Sequence, residues 1–277
     1  MMRKIEPVIS LPATITSGVY KSRASLFSVN APPQIADSKI SRNQLVLNKF
    51  MLILVESYMK ILSINVSEPQ KVIFNGKELI TSIYKKPTTN EVRVTSQGIE
   101  GDRQADLSVH GGYDKAVYGY SYTHYRLWGE KLNKQYDEYG LVGENLTIDV
   151  FDENEIYIGD KFKINDCILQ VSQPRIPCYK IGIKMNSRDF PKMFSQSGLL
   201  GSYFRVIQDG KIRAGSDIEK IHNENNSMTL KDISNLLFVD TKNIDLMKKA
   251  LDIDSLTEEI KEKFRERLMK LGDFSSL

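Results

Sequence analysis

Short runs of β-branched and apolar residues, separated by turn signals, dominate the middle of the chain. Asn75-Gly76 lies between two such runs and suits the positive φ that both positions of a tight hairpin turn require. Many short strands at this spacing favour a closed or nearly closed β-barrel. The predicted strands are Ile61–Val66, Val72–Phe74, Leu79–Tyr84, Val92–Val94, Asn145–Ile148, Phe162–Ile164 and Ile168–Val171.

Helical periodicity interrupts the strands and then dominates the end of the chain. Helices are predicted at Tyr122–Lys134, Asp189–Ser195, Thr229–Leu237, Asn243–Leu251 and Glu258–Leu271. Thr229 is a predicted N-cap, and the spacing from Ser255 to Glu258 is that of a capping box. The predicted fold is therefore mainly β, with a β-barrel domain over residues 59–222 and a small three-helix domain over residues 228–272.

Residues 1–58 differ from the rest, because they are rich in Ser, Pro, Asn and Ala and carry seven Lys or Arg against three acids. Three interpretations stay open. The segment is a poorly ordered extension, an organellar transit peptide, or the result of a start set too early, since Met59 opens a natural strand.

Charge and composition exclude several classes of protein. The formal net charge of +3 gives no global indication of nucleic-acid or membrane binding. The apolar stretch 50–66 is broken by Glu56 and Lys60, so it does not suit a membrane span. Two cysteines are too few for a disulfide framework, although a single Cys167–Cys178 bridge stays open. We expect a cytoplasmic globular protein.

The segment Gln173–Lys180 carries the strongest chemical signal. Its two prolines stiffen the backbone that presents Cys178. Arg175 and Lys180 place positive charge near the thiol, which favours the thiolate. A soft thiolate suits a heavy transition metal. We predict a reactive or metal-binding cysteine, and the alternative is a buried, inert one.

A second signal is the segment Val109–Val117. Gly111 and Gly112 allow a close backbone approach and an anion-binding nest, and Lys115 adds a cation. His110 is a candidate general acid. The alternatives are a glycine turn between strands and an ordinary structural histidine.

Two further motifs suit the recognition of an anion. Gly98–Asp106 contains Arg103, whose guanidinium fits bidentate contact with an oxyanion, although a solvated ion-pair loop is the alternative. Asn145, after Gly143-Glu144, donates and accepts hydrogen bonds, although it also suits an ordinary turn.

Together these motifs resemble the MOSC domain, the molybdenum cofactor sulfurase C-terminal domain. The resemblance is carried, in chain order, by Gly-Ile-Glu-Gly-Asp-Arg-Gln-Ala-Asp, Val-His-Gly-Gly-Tyr-Asp-Lys-Ala-Val, Gly-Glu-Asn-Leu-Thr and Gln-Pro-Arg-Ile-Pro-Cys-Tyr-Lys. The three helices that follow resemble the trailing domain of its YiiM-like group. The similarity covers about residues 59–272.

The resemblance implies a barrel that binds the molybdenum cofactor, with Cys178 as the protein ligand to the metal. It also implies reduction of small N-hydroxylated compounds, including hydroxylaminopurine-type base analogues, as a detoxification. Pyridoxal phosphate binding is a further property associated with the family. The residues expected around the cofactor are Arg103, Lys115 and Arg175 at its phosphate, Gly111, Gly112 and Asn145 as hydrogen-bond partners, and His110 and Asp114 in supporting positions.

The sequence contains no dinucleotide fingerprint and no iron–sulfur cysteine spacing. A separate electron-donating flavin or iron–sulfur reductase is therefore expected, and a homodimer formed through the helices stays open. One alternative is a carrier that holds sulfur on Cys178 as a persulfide. Another is a ligand-sensing DNA-binding protein, against which residues 228–277 carry nine Lys or Arg and ten Asp or Glu.

Overall fold

A computed structural model describes residues 59–106, 111–224 and 227–273 of the chain. The interpretations of residues 1–58 and the predicted role of His110 lie outside these residues and stay predictions. Within the described part, no helix combines the length and apolar character needed to cross a bilayer.

The described residues form thirteen strands. Their bounds are β1 Met59–Val66, β2 Gln70–Phe74, β3 Lys77–Thr81, β4 Lys86–Thr88, β5 Val92–Thr95, β6 Gly98–Ile99, β7 Val117–Ser121, β8 Leu146–Ile148, β9 Lys161–Ile164, β10 Cys167–Pro174, β11 Ser202–Gln208, β12 Gly210–Ile212 and β13 Asp217–His222. The same described residues also form six α-helices, which are α1 Thr123–Leu132, α2 Tyr179–Lys184, α3 Phe190–Ser197, α4 Leu230–Phe238, α5 Ile244–Leu251 and α6 Glu258–Lys270.

Seven strands close into a barrel, which confirms the predicted fold class. They pair in the order β13, β9, β10, β11, β7, β8 and β1, and β13 pairs back with β1. All of these pairs are antiparallel except β7 with β8. The parallel pair needs a crossover connection, and α1 lies in that connection. A three-stranded sheet (β12, β5, β6) and a two-stranded hairpin (β2, β3) are separate from the barrel sheet.

The barrel interior is filled by side chains that alternate along the strands. In β9, Phe162 and Ile164 are buried whereas Lys161 and Lys163 point outward. The Phe162 ring meets Phe204 of β11 edge-on, with centroids 6.3 Å apart. Such period-2 burial fixes the strand register.

A second apolar cluster lies outside the barrel and holds α1 and α3 against β7. Trp128 of α1 is fully buried and packs on Phe190 and Phe194 of α3. Its indole nitrogen donates a hydrogen bond to the Tyr120 hydroxyl over 2.6 Å. A buried tryptophan needs such a partner for its N–H.

Six strands were missed by the sequence patterns, namely β4, β6, β7, β11, β12 and β13. All five residues of β7 are buried, because this strand lies between the barrel interior and the outer cluster. It therefore shows no alternation of polar and apolar positions. The helix predicted to reach Lys134 ends earlier, since Asn133 takes a left-handed conformation with φ 49°.

The three trailing helices share one contiguous apolar core with the barrel. Thr229 caps α4, as predicted, and it also forms a complete capping box with Asp232, which was not predicted. The predicted capping box from Ser255 to Glu258 is wrong, because Thr257 occupies the N-cap position of α6. The Thr257 hydroxyl instead donates to the Gln173 side-chain oxygen over 2.7 Å, which ties α6 to β10.

We predict that Gly201→Ala destabilises the barrel by about 2 to 4 kcal/mol. Gly201 has φ +67°, and a Cβ there would lie 2.3 Å from the Gly119 carbonyl oxygen. Gly215→Ala is the control, because Gly215 has φ +88° and open space around it. We therefore expect Gly215→Ala to lose only the about 1 kcal/mol that a positive φ costs a residue with a Cβ. Urea denaturation measures both, and equal losses would contradict the steric argument.

Candidate functional site

A cleft lies beside the barrel and contains Cys178. Several polar side chains converge on it, which is typical of sites that orient a small molecule or cofactor. Of the predicted site residues, the cleft brings together Gly111, Lys115, Asn145, Arg175 and Cys178. It also contains residues that the sequence analysis did not single out, among them Ser82, Lys85, Tyr118 and Tyr203.

Cys178 lies where strand β10 turns into helix α2. The strand ends at Pro174, and Cys178 is the extended N-cap residue of the helix, with φ −107°. Its side chain is half-buried in the cleft. The prolines predicted to stiffen this segment thus separate a strand from a helix and present the thiol at their junction.

Both cysteines are free, so the bridge left open by the sequence is absent from the structure. Cys167 is fully buried in the barrel, and burial, together with the nearby Asp209 carboxylate, raises the pKa of its thiol to about 12. Cys167 therefore stays a protonated, inert thiol at neutral pH.

Four cations line the cleft, and no carboxylate is among the lining residues that the structure describes. The cations are Lys85, Lys115, Arg175 and Lys180. Arg175 is only 6% exposed, donates to the Val142 carbonyl oxygen and lies over the Tyr118 ring at 4.8 Å from its centroid. An arrangement of this kind attracts an anionic ligand.

Lys85 is held in position by Asp102, the residue that precedes the predicted Arg103. The two side chains form an ion pair and are 4% and 5% exposed. Burial lowers the pKa of Lys85, although Asp102 opposes this. The Asp102 carboxylate also accepts from the Ser67 backbone N–H over 2.9 Å and from the Asn145 amide over 2.9 Å.

Asn145 holds the wall of the cleft together. Its side-chain oxygen accepts from the Tyr118 backbone N–H over 3.1 Å. Its amide donates to Asp102 and to the Asn65 carbonyl oxygen, the latter over 3.3 Å. The side chain therefore joins three segments, which is a positioning role, and a direct bond from it to a cofactor stays a prediction.

Glu144 is fully buried and organises the loop that precedes Asn145. Its carboxylate accepts from the backbone N–H groups of Gly140 and Val142 over 3.1 and 3.0 Å. It also accepts from the Thr147 hydroxyl over 2.9 Å and from the Tyr125 hydroxyl. These bonds fix the loop, so that the Val142 carbonyl oxygen can accept from the Arg175 guanidinium. The motif Gly-Glu-Asn contains this residue, yet nothing in its spacing marks the glutamate as buried.

Lys184 of α2 is a further, partly buried cation behind the wall. Its ammonium donates to the carbonyl oxygens of Gly140 and Ile83, the latter over 2.9 Å. Burial lowers its pKa from 10.5 to about 8, although the Glu144 carboxylate opposes this.

Two hydroxyl groups in the cleft are available to a ligand. The Ser82 hydroxyl is buried and has no hydrogen-bond partner in the part of the chain that the structure describes. An unsatisfied buried hydroxyl is costly and indicates a missing partner. Burial raises the pKa of Tyr203, so its phenol keeps its proton as a donor.

Three predicted residues do not line the cleft. The Arg103 side chain is 77% exposed and lies 3.6 Å from Glu68, so it is directed to solvent. Asp114 pairs with Arg205 at 2.5 Å. Gly112 caps the 3-10 turn Tyr113–Lys115. Their predicted contacts with a cofactor gain no support from this geometry.

The trailing helices reach the rim of the cleft through α6. Glu259, in its first turn, forms an ion pair with Lys115. The Arg205 guanidinium donates to the Ser255 carbonyl oxygen over 2.7 Å. The start of α6 thus sets the position of one of the four cations.

The described residues around Cys178 contain no ready-made metal site. Among the described residues, no group of three His, Cys, Asp or Glu side chains could hold a metal ion. A metal bound to Cys178 would therefore bring its other ligands with it, as a cofactor does.

We predict that Glu144→Gln destabilises the fold by about 2 to 4 kcal/mol, measured by chemical denaturation. In either orientation, the new amide places its NH2 group against a backbone N–H, of Gly140 or of Val142. Glu138→Gln changes an exposed residue near the same loop and is expected to be neutral. Equal stability of the two variants would contradict the role of Glu144.

Lys184 makes a pH-dependent contribution to stability. Between pH 8 and 10.5, unfolded Lys184 holds a proton that the folded protein has lost, so stability rises with pH through this window. We expect Lys184→Met to remove roughly 1 to 3 kcal/mol of that rise. Denaturation at several pH values, with the exposed Lys192→Met as control, measures the difference. An unchanged pH slope in Lys184→Met would refute the assignment.

The chain is similar to known proteins both in its barrel and in its three trailing helices. A family model for the MOSC domain matches residues 106–219, and one for a YiiM-like, 3-alpha helix domain matches residues 228–271. Bacillus subtilis YflK is 33% identical over 211 residues, which cover 76% of this chain and 95% of YflK. A Gibberella moniliformis protein named "Reductase" is 36% identical over 147 residues, covering 52% of this chain and 26% of its own length.

A solved structure extends this agreement to the fold. The crystal structure of YiiM from Geobacillus stearothermophilus superimposes with a TM-score of 0.65 and 30% identity, covering 76% of this chain and 99% of that one. Because both family models match in chain order and these relatives include barrel and helices together, the protein belongs to the MOSC-domain family, within its YiiM-like group.

Proposed function

We propose that the protein is a molybdenum-cofactor-dependent reductase of N-hydroxylated compounds, with Cys178 as the protein ligand to the metal. One observation carries the proposal. The Cys178 thiol shares a cleft with four cations, and the described residues that line this cleft include no carboxylate. A relative named "Reductase" supports the reductive direction.

The residues present fit this cofactor, which is an anionic pterin phosphate with a dithiolene-bound metal. Arg175, Lys115 and Lys180 suit its phosphate, since charge-assisted bonds to phosphate are strong. The unpartnered Ser82 hydroxyl offers a further hydrogen bond. Gly111, with φ +86°, lets the backbone approach closely. When bound, the cofactor supplies the redox chemistry that no side chain of this cleft has.

The reaction consumes two electrons and two protons. R–NH–OH accepts both, the N–O bond breaks, and R–NH2 and water leave. Tyr203 lines the cleft with Cys178, and we propose that its O–H group holds the leaving oxygen and delivers a proton. Because the sequence lacks a reductant motif of its own, we propose that a separate protein supplies the electrons.

The substrate class follows from the same resemblance. We propose hydroxylaminopurine-type base analogues, because the cleft combines hydrogen-bond donors with the half-buried aromatic ring of Tyr203. The Tyr203 ring gives a planar base apolar surface to contact, and the buried Tyr118 ring packs against it with centroids 5.1 Å apart.

Cys178→Ala tests the proposal. We expect the wild type, produced in cells that make the cofactor, to contain molybdenum and to convert hydroxylaminopurine to aminopurine with reduced methyl viologen as electron source. In the variant, metal content and turnover fall to background while the circular dichroism spectrum stays unchanged, because only a half-buried thiol is lost.

Cys167→Ala is the matched control, since it removes the other thiol from the barrel interior. It is expected to keep the metal. Full activity of Cys178→Ala would show that Cys178 is not the ligand to the metal. Metal-free wild type with cyanide-labile sulfur on Cys178 would favour the persulfide carrier instead.

A further inference from the structure

One carboxylate of the trailing helices lies at the rim of the cleft. Glu259, in the first turn of α6, forms an ion pair with Lys115, whose side chain is 15% exposed and lines the cleft. The Glu259 side chain is 37% exposed, so part of it stays open to solvent. A molecule that enters the cleft past Lys115 therefore meets this negative charge.

Contacts between α6 and the barrel hold Glu259 in this place. The Thr257 hydroxyl, two residues earlier, donates to the Gln173 side chain of β10 over 2.7 Å. The Arg205 guanidinium of β11 donates to the Ser255 carbonyl oxygen over 2.7 Å. Because these two bonds anchor the start of α6 on barrel strands, the carboxylate is a fixed feature of the rim.

The charge of Glu259 also reaches the part of the cleft that contains Cys178. Burial is the main cause that raises the pKa of Tyr203, and the Arg175 charge opposes it. The negative charges of Cys178 and Glu259 both add to the rise. Since Coulomb interactions weaken with distance, Glu259 lies near the phenol that, in the proposed function, holds the leaving oxygen.

The ion pair decides how the rim treats charged and uncharged ligands. The Glu259 carboxylate offsets the charge of Lys115 and repels an anion placed beside it. An uncharged ligand meets no such repulsion, and its N–H groups can donate to the open part of the carboxylate. An ammonium has three N–H donors, so Lys115 can bind Glu259 and a cofactor oxygen together.

We propose that Glu259 is a specificity-determining residue, which admits uncharged N-hydroxylated bases and nucleosides to the cleft and rejects the corresponding nucleotides. This inference rests on the proposed function, in which the N–OH group must reach the metal at Cys178. A purine oriented in this way directs its sugar and phosphate away from the thiol, toward the rim. A repelling charge is an effective way to reject an analogue whose other contacts are the same.

The test compares a base with its nucleotide in two measurements on the cofactor-loaded full chain. Calorimetry gives the Kd values of the expected products, adenine and adenosine monophosphate. Turnover with reduced methyl viologen gives kcat/KM for hydroxylaminopurine and for its ribonucleotide. The variants are Glu259→Gln, which removes the charge, and Glu259→Asp, which keeps it. Glu258→Gln is the matched control, because Glu258 is 71% exposed and pairs with Arg265.

We expect the wild type to bind adenine more tightly than adenosine monophosphate and to reduce the base with the higher kcat/KM. In Glu259→Gln, the Kd of the nucleotide falls and its kcat/KM rises, about tenfold each, because the charge that repels the phosphate is gone. The values for the base stay unchanged. Added salt weakens the gained nucleotide binding. Glu259→Asp and Glu258→Gln discriminate as the wild type does.

Three results would overturn the inference. An unchanged preference for the base in Glu259→Gln would make Glu259 a structural tie between α6 and the rim. An equal shift in Glu258→Gln would assign the effect to the total charge of α6. Both results leave the proposed function standing. Absence of turnover in the wild type, with either substrate, removes the proposed function and this inference with it.

Discussion

The positive charge of the cleft depends on two buried carboxylates, Asp102 and Glu144, whose hydrogen-bond donors all lie within the fold. Each accepts several hydrogen bonds, from backbone N–H groups and from side chains. A buried carboxylate needs such partners to offset its desolvation. Their charge balances Lys85 and the partly buried Lys184, and among the described lining residues no acid competes with an incoming anion for Arg175, whereas Lys115 is already paired with Glu259 at the rim.

The sequence patterns identified the barrel, the trailing helices and the cysteine segment because each rests on local periodicity or on a compact motif. They did not distinguish Asp102 from Arg103. Chemistry favoured the arginine, whereas the backbone of this turn directs the aspartate inward and the arginine to solvent. Lys85 and Ser82 carry no motif at all, and only the folded chain brings them to the cleft. Strand β7 was missed because burial on both faces removes the alternation that marks a strand.

The trailing helices are structurally coupled to the site. The Thr257 hydroxyl binds Gln173, which lies on the strand that leads to Cys178, and Glu259 holds Lys115 at the rim. The barrel and the helices also share one apolar core. A change in how α6 packs would therefore reach the thiol segment and one cation of the cleft together.

The closure of the barrel constrains the order in which the protein forms. The first and last barrel strands meet through Met59 with Ile218 and Lys60 with Asp217, positions at opposite ends of the barrel sequence. Contacts between such distant residues form slowly, since a long loop must close before they add stability. During synthesis, the barrel therefore stays open until β13 has left the ribosome. For that whole interval, one edge of β1 lacks its partner strand.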